Sequence, residues 1–174
     1  MRNLLLLLVV LGTLSFTLSK EVTRNVEKAS IALGKEAPKF LLKNNNGEEF
    51  TLDQFKGKLV YINLWTTWSE PSKEELPYLQ EFIDSYSDAV VFINLSVDYQ
   101  RDIGSWKKYI NKQKLKGIHL ITDRDWQSDF INSYNVVKIP RAILIDKEGN
   151  IINAFAPKPS QKAQLTRLFD TSIK

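Results

Sequence analysis

The chain contains no cysteine, one histidine (His119) and one methionine, Met1. Without cysteine it has no disulfide framework, no thiolate nucleophile and no thiolate metal site. With a single histidine and no carboxylates spaced to join it, no metal or other cofactor is implied, and His119 reads as a partly buried strand residue. An excess of one charge is also lacking: 24 Lys and Arg stand against 20 Asp and Glu, a net charge of +4. That balance is too even and too scattered to point to a nucleic-acid partner. The cluster Lys107, Lys108, Lys112, Lys114 and Lys116 reads as a solvated helix face. Asp123, Asp125 and Asp129 are too sparse for a calcium loop and read as a loop and helix cap. No low-complexity tract or internal repeat is present.

What is there fits one globular domain. The 174 residues are 43% apolar and 25% charged, and a domain of that size buries about two thirds of the surface its unfolded chain exposes. Residues 1–19 read as a signal peptide: Arg2 is a short positive start, residues 4–11 are an unbroken apolar run, and Thr17 and Ser19 suit the small-residue positions of a cleavage site. The apolar stretch is shorter than the roughly 20 residues a comfortable membrane span needs, so a membrane association is expected only if this segment stays uncleaved. Residues 20–33 read as a polar linker and residues 34–174 as the domain.

Along the domain, residues 40–51 predict a β-hairpin, with Asn46-Gly47 supplying the positive φ angles of a tight turn. Residues 52–55 read as one helical turn closed by Gly57. The run Leu-Val-Tyr-Ile-Asn-Leu-Trp at 59–65 predicts a strand buried on both faces. Residues 70–86 carry Leu76, Leu79, Phe82 and Ile83 at helical spacing. A strand is expected at 89–97, a helix at 103–115 with Ile103, Trp106, Ile110 and Leu115 inward, a strand at 118–121 and a helix at 126–134. Two strands at 142–145 and 151–155 form a closing hairpin. A last helix spans 160–173, capped by Ser160 and turning Ala163, Leu165, Leu168 and Phe169 inward. The order predicts an α/β fold: a central mixed β-sheet flanked by helices on both faces, extended by the N-terminal hairpin.

The densest local pattern is Trp65-Thr66-Thr67-Trp68-Ser69-Glu70-Pro71-Ser72-Lys73-Glu74-Glu75-Leu76-Pro77. It lies where a buried strand ends and a helix begins, the place where α/β sheets build their sites. It resembles the Trp-x-x-Trp-Cys-x-Pro-Cys-x-x-Glu-x-Pro stretch of exported thioredoxin-like thiol-disulfide oxidoreductases, the TlpA/ResA group, everywhere except at the two cysteines. Gly34-x-x-Ala37-Pro38-x-Phe40, Phe55-Lys56-Gly57-Lys58, Tyr134-x-Val136-x-x-Ile139-Pro140 and Leu144-Ile145-Asp146-Lys147-x-Gly149 extend the resemblance over residues 34–174. The resemblance implies a thioredoxin-like fold and assigns positions one by one. Ser69 stands at the catalytic nucleophile's place and Ser72 at the resolving cysteine's, with Glu70 and Pro71 between them. Pro140 matches a cis-proline whose preceding residue, Ile139, pairs its backbone with a bound peptide. Glu75 matches a helix glutamate, and Pro77 would bend the helix; the residues themselves leave Trp68 open, as packing or as a rim residue that contacts a ligand.

Serine at both places removes the expected reaction. Thiol–disulfide exchange needs a thiolate and a mixed disulfide; a hydroxyl supplies neither, and a helix dipole worth about 1 kcal/mol does not ionise it. A serine-hydrolase role lacks its base, because His119 lies on another strand and Lys73 on an exposed turn. As N-cap, Ser69 is expected to accept a first-turn N–H, with Ser72 and Glu75 forming a capping box. Two functions remain open. One is a redox-silent, monomeric protein that binds an exported protein or peptide partner in the cell envelope or periplasm. The other is a cysteine-to-serine form of an active exported oxidoreductase acting on exported proteins or cytochrome precursors.

Overall fold

The computed structural model describes residues 33–174. The signal-peptide segment and all but the last residue of the linker lie outside the described residues. Seven strands form one sheet in the order β2-β1-β5-β4-β3-β6-β7. β3 (Leu59–Trp65), β4 (Val90–Ser96) and β5 (Ile118–Ile121) are parallel neighbours at its centre. β6 (Arg141–Ile145) runs antiparallel to β3, and β7 (Ile151–Ala156) antiparallel to β6. On the other side the hairpin β1 (Leu41–Asn44) and β2 (Glu49–Thr51) joins β5 antiparallel. The mixed sheet and N-terminal hairpin are those expected from the pattern of apolar runs.

Every residue of β3 is buried, which explains why the run shows no polar alternation. Its side chains still divide between two faces. Val60, Ile62 and Leu64 join Ile93, Leu95, Ile143 and the aromatic pair Phe40 and Phe130 in one core. Leu59 and Tyr61 join Leu79, Phe82, Leu165 and Phe169 in the other. That second core is closed by two helices, α1 (Glu70–Tyr86) and α4 (Lys162–Ile173). Phe169 is its hub: the rings of Tyr61, Phe82, Tyr86 and Phe92 lie 5.2–5.8 Å from it, mostly edge-on, an arrangement that adds to simple burial. Further along the same face, Trp65 and Leu76 pack on Trp106 and Ile110 of α2 (Ile103–Gln113). The short helix α3 (Asp129–Ser133) covers the first core with Phe130 and Ile131.

Several local expectations are corrected. The hairpin turn is wider than a two-residue Asn-Gly turn: only Gly47 has a positive φ, of 90°. Asn44 holds the loop instead, its Oδ1 accepting the N–H groups of Asn46 and Glu48 at 2.9 Å each. An acceptor side chain at the first turn position competes well with the tighter geometry. The segment expected as one helix over 126–134 splits into a 3-10 turn, Asp125–Gln127, and α3. The cap of α3 is Ser128, whose hydroxyl accepts the Ile131 N–H, rather than an aspartate. The last helix starts at Lys162 after Gln161, not at Ser160, whose hydroxyl and N–H both serve another partner. Ala163 is exposed. Pro77 sits inside α1 without ending it; its cost is the one N–H that the Lys73 carbonyl would have accepted.

Candidate functional site

The Trp65-to-Pro77 stretch lies at the carboxyl end of β3. β3 delivers the chain to Thr66, and β4, paired in parallel with Trp65 opposite Ser96, ends beside it. The chain then turns through Thr67 and Trp68 to Ser69, which is extended (φ −90°, ψ 105°) and followed by Glu70 and Pro71 as the first two residues of α1. Proline there loses nothing, because its missing N–H belongs to the unpaired first turn, and an acidic residue suits the helix dipole.

The helix start is satisfied by backbone and not by side chain. The Ser69 carbonyl accepts the N–H groups of Ser72 at 3.1 Å and Lys73 at 3.0 Å. The Ser69 hydroxyl makes no cap bond, which corrects the expected N-cap role and capping box. The two hydroxyls bond each other: Ser72 Oγ donates to Ser69 Oγ at 3.0 Å. Ser72 is wholly buried and Ser69 nearly so, at 0% and 8% exposed.

Neither hydroxyl meets a base among the described residues. Lys73 Nζ is held by the Glu70 carboxylate, whose hydrogen bond raises the lysine above its ordinary pKa. His119 stands two strands from Ser69: it is paired with Asn94 of β4, which itself lies between β3 and β5. Its Nε2 meets the Leu115 carbonyl at 3.0 Å while Nδ1 has no partner. Burial lowers its pKa, partly opposed by that carbonyl. The serine pair therefore has no proton acceptor of the kind nucleophilic catalysis requires.

Glu75, the helix glutamate, is also buried, at 5% exposed. It faces the loop before α4, accepting the Ser160 N–H at 2.8 Å and the Ser160 hydroxyl at 2.9 Å, with Lys158 Nζ 3.5 Å away. It ties α1 to the β7–α4 connection.

The second half of the site is the loop of residues 134–140. β6 pairs with β3 so that Arg141 faces Leu64, and the residue before it, Pro140, therefore lies level with Trp65. The Ile139–Pro140 peptide is cis. Ile139 is half-buried against the first core, and its backbone makes no hydrogen bond among the described residues. Trp68, with 54% of its surface exposed, stands at the same end of the sheet. Strand register thus brings Trp68, Ser69, Ser72, Ile139 and Pro140 to one end of the molecule.

Two functional supports escaped the sequence. Asp98, just after β4, is fully buried. Its carboxylate accepts the Thr67 N–H at 3.1 and 3.0 Å, the Thr67 hydroxyl at 2.8 Å and the Ser96 hydroxyl at 2.7 Å. It fixes the turn that leads to Ser69. Arg141, 6% exposed, donates from Nε to Ala154 O at 3.0 Å, from Nη1 to Asn135 O at 2.7 Å and from Nη2 to Tyr134 O at 2.9 Å. It thereby caps the carbonyl end of α3 and fixes the loop that ends in Pro140. The available signal for both was position: each is a charged residue at the site end of a central strand.

A family model described as Redoxin matches residues 32–168. The chain is 35% identical over 151 residues to Thiol-disulfide oxidoreductase ResA of Bacillus thuringiensis subsp. konkukian, covering 86% of this chain and 83% of that one. To the protein of the same name in Bacillus subtilis it is 32% identical over 149 residues, covering 84% and 79%. The crystal structure of the thioredoxin domain of a thiol-disulfide oxidoreductase from Bacteroides vulgatus superposes with a TM-score of 0.71 at 26% identity, covering 82% of this chain and 99% of that one.

Proposed function

We propose, on the premise that this chain belongs to the redoxin family and is a ResA-like member of the thioredoxin-fold thiol-disulfide oxidoreductases, that it binds an extended polypeptide without turning over a disulfide. The observation that carries this reading is the Ser69–Ser72 hydroxyl pair, bonded at 3.0 Å in the place of a reactive dithiol. A hydroxyl offers no thiolate at neutral pH and forms no mixed disulfide, so capture at this site is non-covalent. The groove beside it keeps what peptide docking needs: the unpaired backbone of Ile139, the exposed Trp68 ring and the rigid turn at Ser69. An extended segment would pair with the Ile139 backbone and lay a side chain against Trp68. Glu70 and Pro71 form the groove's outer lip. The partner is an exported protein or peptide of the cell envelope, a localisation that rests on the apolar leader sequence.

Titration with cysteine-blocked extended peptides, read by tryptophan fluorescence and repeated with Trp68→Ala, tests this. Loss of binding in the variant is expected; unchanged binding, or disulfide reduction by the serine protein itself, would sink it.

A second reading, an oxidoreductase in a cysteine-to-serine form, is favoured by the Trp65-to-Pro77 stretch, which resembles the family's active-site pattern everywhere except at Ser69 and Ser72. The double reversion Ser69→Cys with Ser72→Cys separates the two. Robust disulfide reduction would favour the second reading, and a folded but inert protein the first.

A further inference from the structure

Beside Pro140 lies a pocket of about 110 Å³, a volume suited to one side chain rather than to a drug-sized ligand, which takes roughly 300–1,000 Å³. Its wall carries Val137, Lys138, Pro140, Arg141, Phe155 and Lys158, and no acidic residue lines it. The two most exposed of the large apolar side chains among the described residues meet here, Val137 at 76% and Phe155 at 64% exposed. Three cations surround them. The Arg141 guanidinium lies 4.2 Å from the centre of the Phe155 ring, and its hydrogen bonds go to carbonyls, with no carboxylate partner among the described residues. Lys138 is exposed and forms no ion pair among them. Lys158 is the exception, lying 3.5 Å from the buried Glu75. Of the other acids at this end, Glu70 is engaged by Lys73 and Asp98 is buried under the Thr67 turn; neither lines the pocket.

We infer that this patch extends the peptide groove and selects its occupant: an extended polypeptide segment with one apolar side chain for the pocket and acidic residues on either side of it. The inference rests on the docking reading above and adds the chemistry of the partner. The patch and such a segment are complementary in shape and charge. An apolar pocket ringed by cations of which only one is neutralised by an acid attracts a ligand that supplies carboxylates around an apolar residue, and repels a basic one. The edge strand β7, with its register shifts against β6, is a poor template for open-ended strand addition, so side-chain recognition rather than sheet extension sets the preference. Lys138, exposed to water, acts through a field that falls off over about 8–10 Å at ordinary salt, so the selectivity is modest and salt-sensitive.

The test uses three nine-residue peptides with the same central leucine, flanked by aspartate, serine or lysine, titrated against the protein, Lys138→Glu and Trp68→Ala. The aspartate peptide is expected to bind about tenfold tighter than the serine peptide at low salt, the gap shrinking to about twofold at high salt, with the lysine peptide weakest. Lys138→Glu should reverse the order. If aspartate and serine peptides bind equally and both need Trp68, the docking reading stands and the acidic preference falls. If no peptide needs Trp68, the docking reading itself falls. Binding to phosphatidylglycerol vesicles that needs Lys138, without any preference among the peptides, would overturn the inference in favour of an anionic lipid surface.

Discussion

The turn before Ser69 and the loop before Arg141 frame the same groove, yet they are held by buried charges of opposite sign. Asp98 gathers donors from Thr67 and Ser96, and Arg141 gives its protons to three carbonyls. Neither is neutralised by a counter-ion among the described residues. Each is instead surrounded by polar groups of the segment it fixes, which is how a buried ionic group becomes tolerable without a salt bridge. His119 completes the contrast. With one carbonyl contact and an unpartnered Nδ1, it has too little to stabilise a charge, and burial lowers its pKa. Asp98 and Arg141 are each wrapped by the segment they fix, whereas the third buried ionic side chain, Glu75, has Lys158 3.5 Å away.

The largest expected effect comes from Asp98→Ala. It leaves the Thr67 N–H and two hydroxyls without their acceptor, and should lower stability by about 3 kcal/mol or more, measured by urea denaturation. Hydrogen exchange should quicken at residues 66–69 and not at 134–140. Equal loosening of both segments would break the comparison, because it would make them one unit. Arg141→Met keeps the side chain's apolar stem but strands three carbonyls, and should cost about 2 kcal/mol. There the exchange effect belongs to residues 134–140. A melt unchanged within error would mean that Arg141 is ornamental to that loop.

The pH dependence is smaller. Since the folded state lowers the His119 pKa, the unfolded chain binds its proton more readily, so stability is full above about pH 6.5 and falls as pH drops below it. Melting temperature between pH 7.5 and 5.5 should therefore decline on acidification, and His119→Leu should flatten that slope. A slope that persists unchanged would show that other groups set it. Ser72→Ala is the mildest change. It removes one hydroxyl bond and leaves the backbone cap in place, so it should cost less than about 1 kcal/mol. A larger loss in calorimetry would mean that the hydroxyl pair supports the helix after all.

The fold was largely legible because its strands are continuous apolar runs and its helices carry apolar residues at three- and four-residue spacing. β3 and α1 begin and end where the sequence places them. The errors share one cause: a polar side chain with several possible partners. Ser69, Ser72, Glu75 and Ser160 all suit local helix caps, but in the folded chain Glu75 and Ser160 find each other 85 residues apart. Asp98 and Arg141 were invisible for the same reason, since nothing near Asp98 in sequence announces Thr67, 31 residues before it. Strand order creates these pairs, and strand order is a property of the whole chain.

The segment at the start of the described chain has a consequence for how the molecule can be mounted. The Gly34 N–H reaches the Ile151 carbonyl, the Lys35 carbonyl accepts the Ile151 N–H, and the Ala37 N–H reaches Gly149. These contacts clip the chain to the turn between β6 and β7, at the opposite pole of the sheet from Ser69 and Pro140. β3 alone, seven residues long, separates the poles by roughly 20 Å at strand rise. Gly34 thus lies at the back of the domain, and a molecule attached to a surface at that residue presents its groove outward, like a lamp facing away from its bracket.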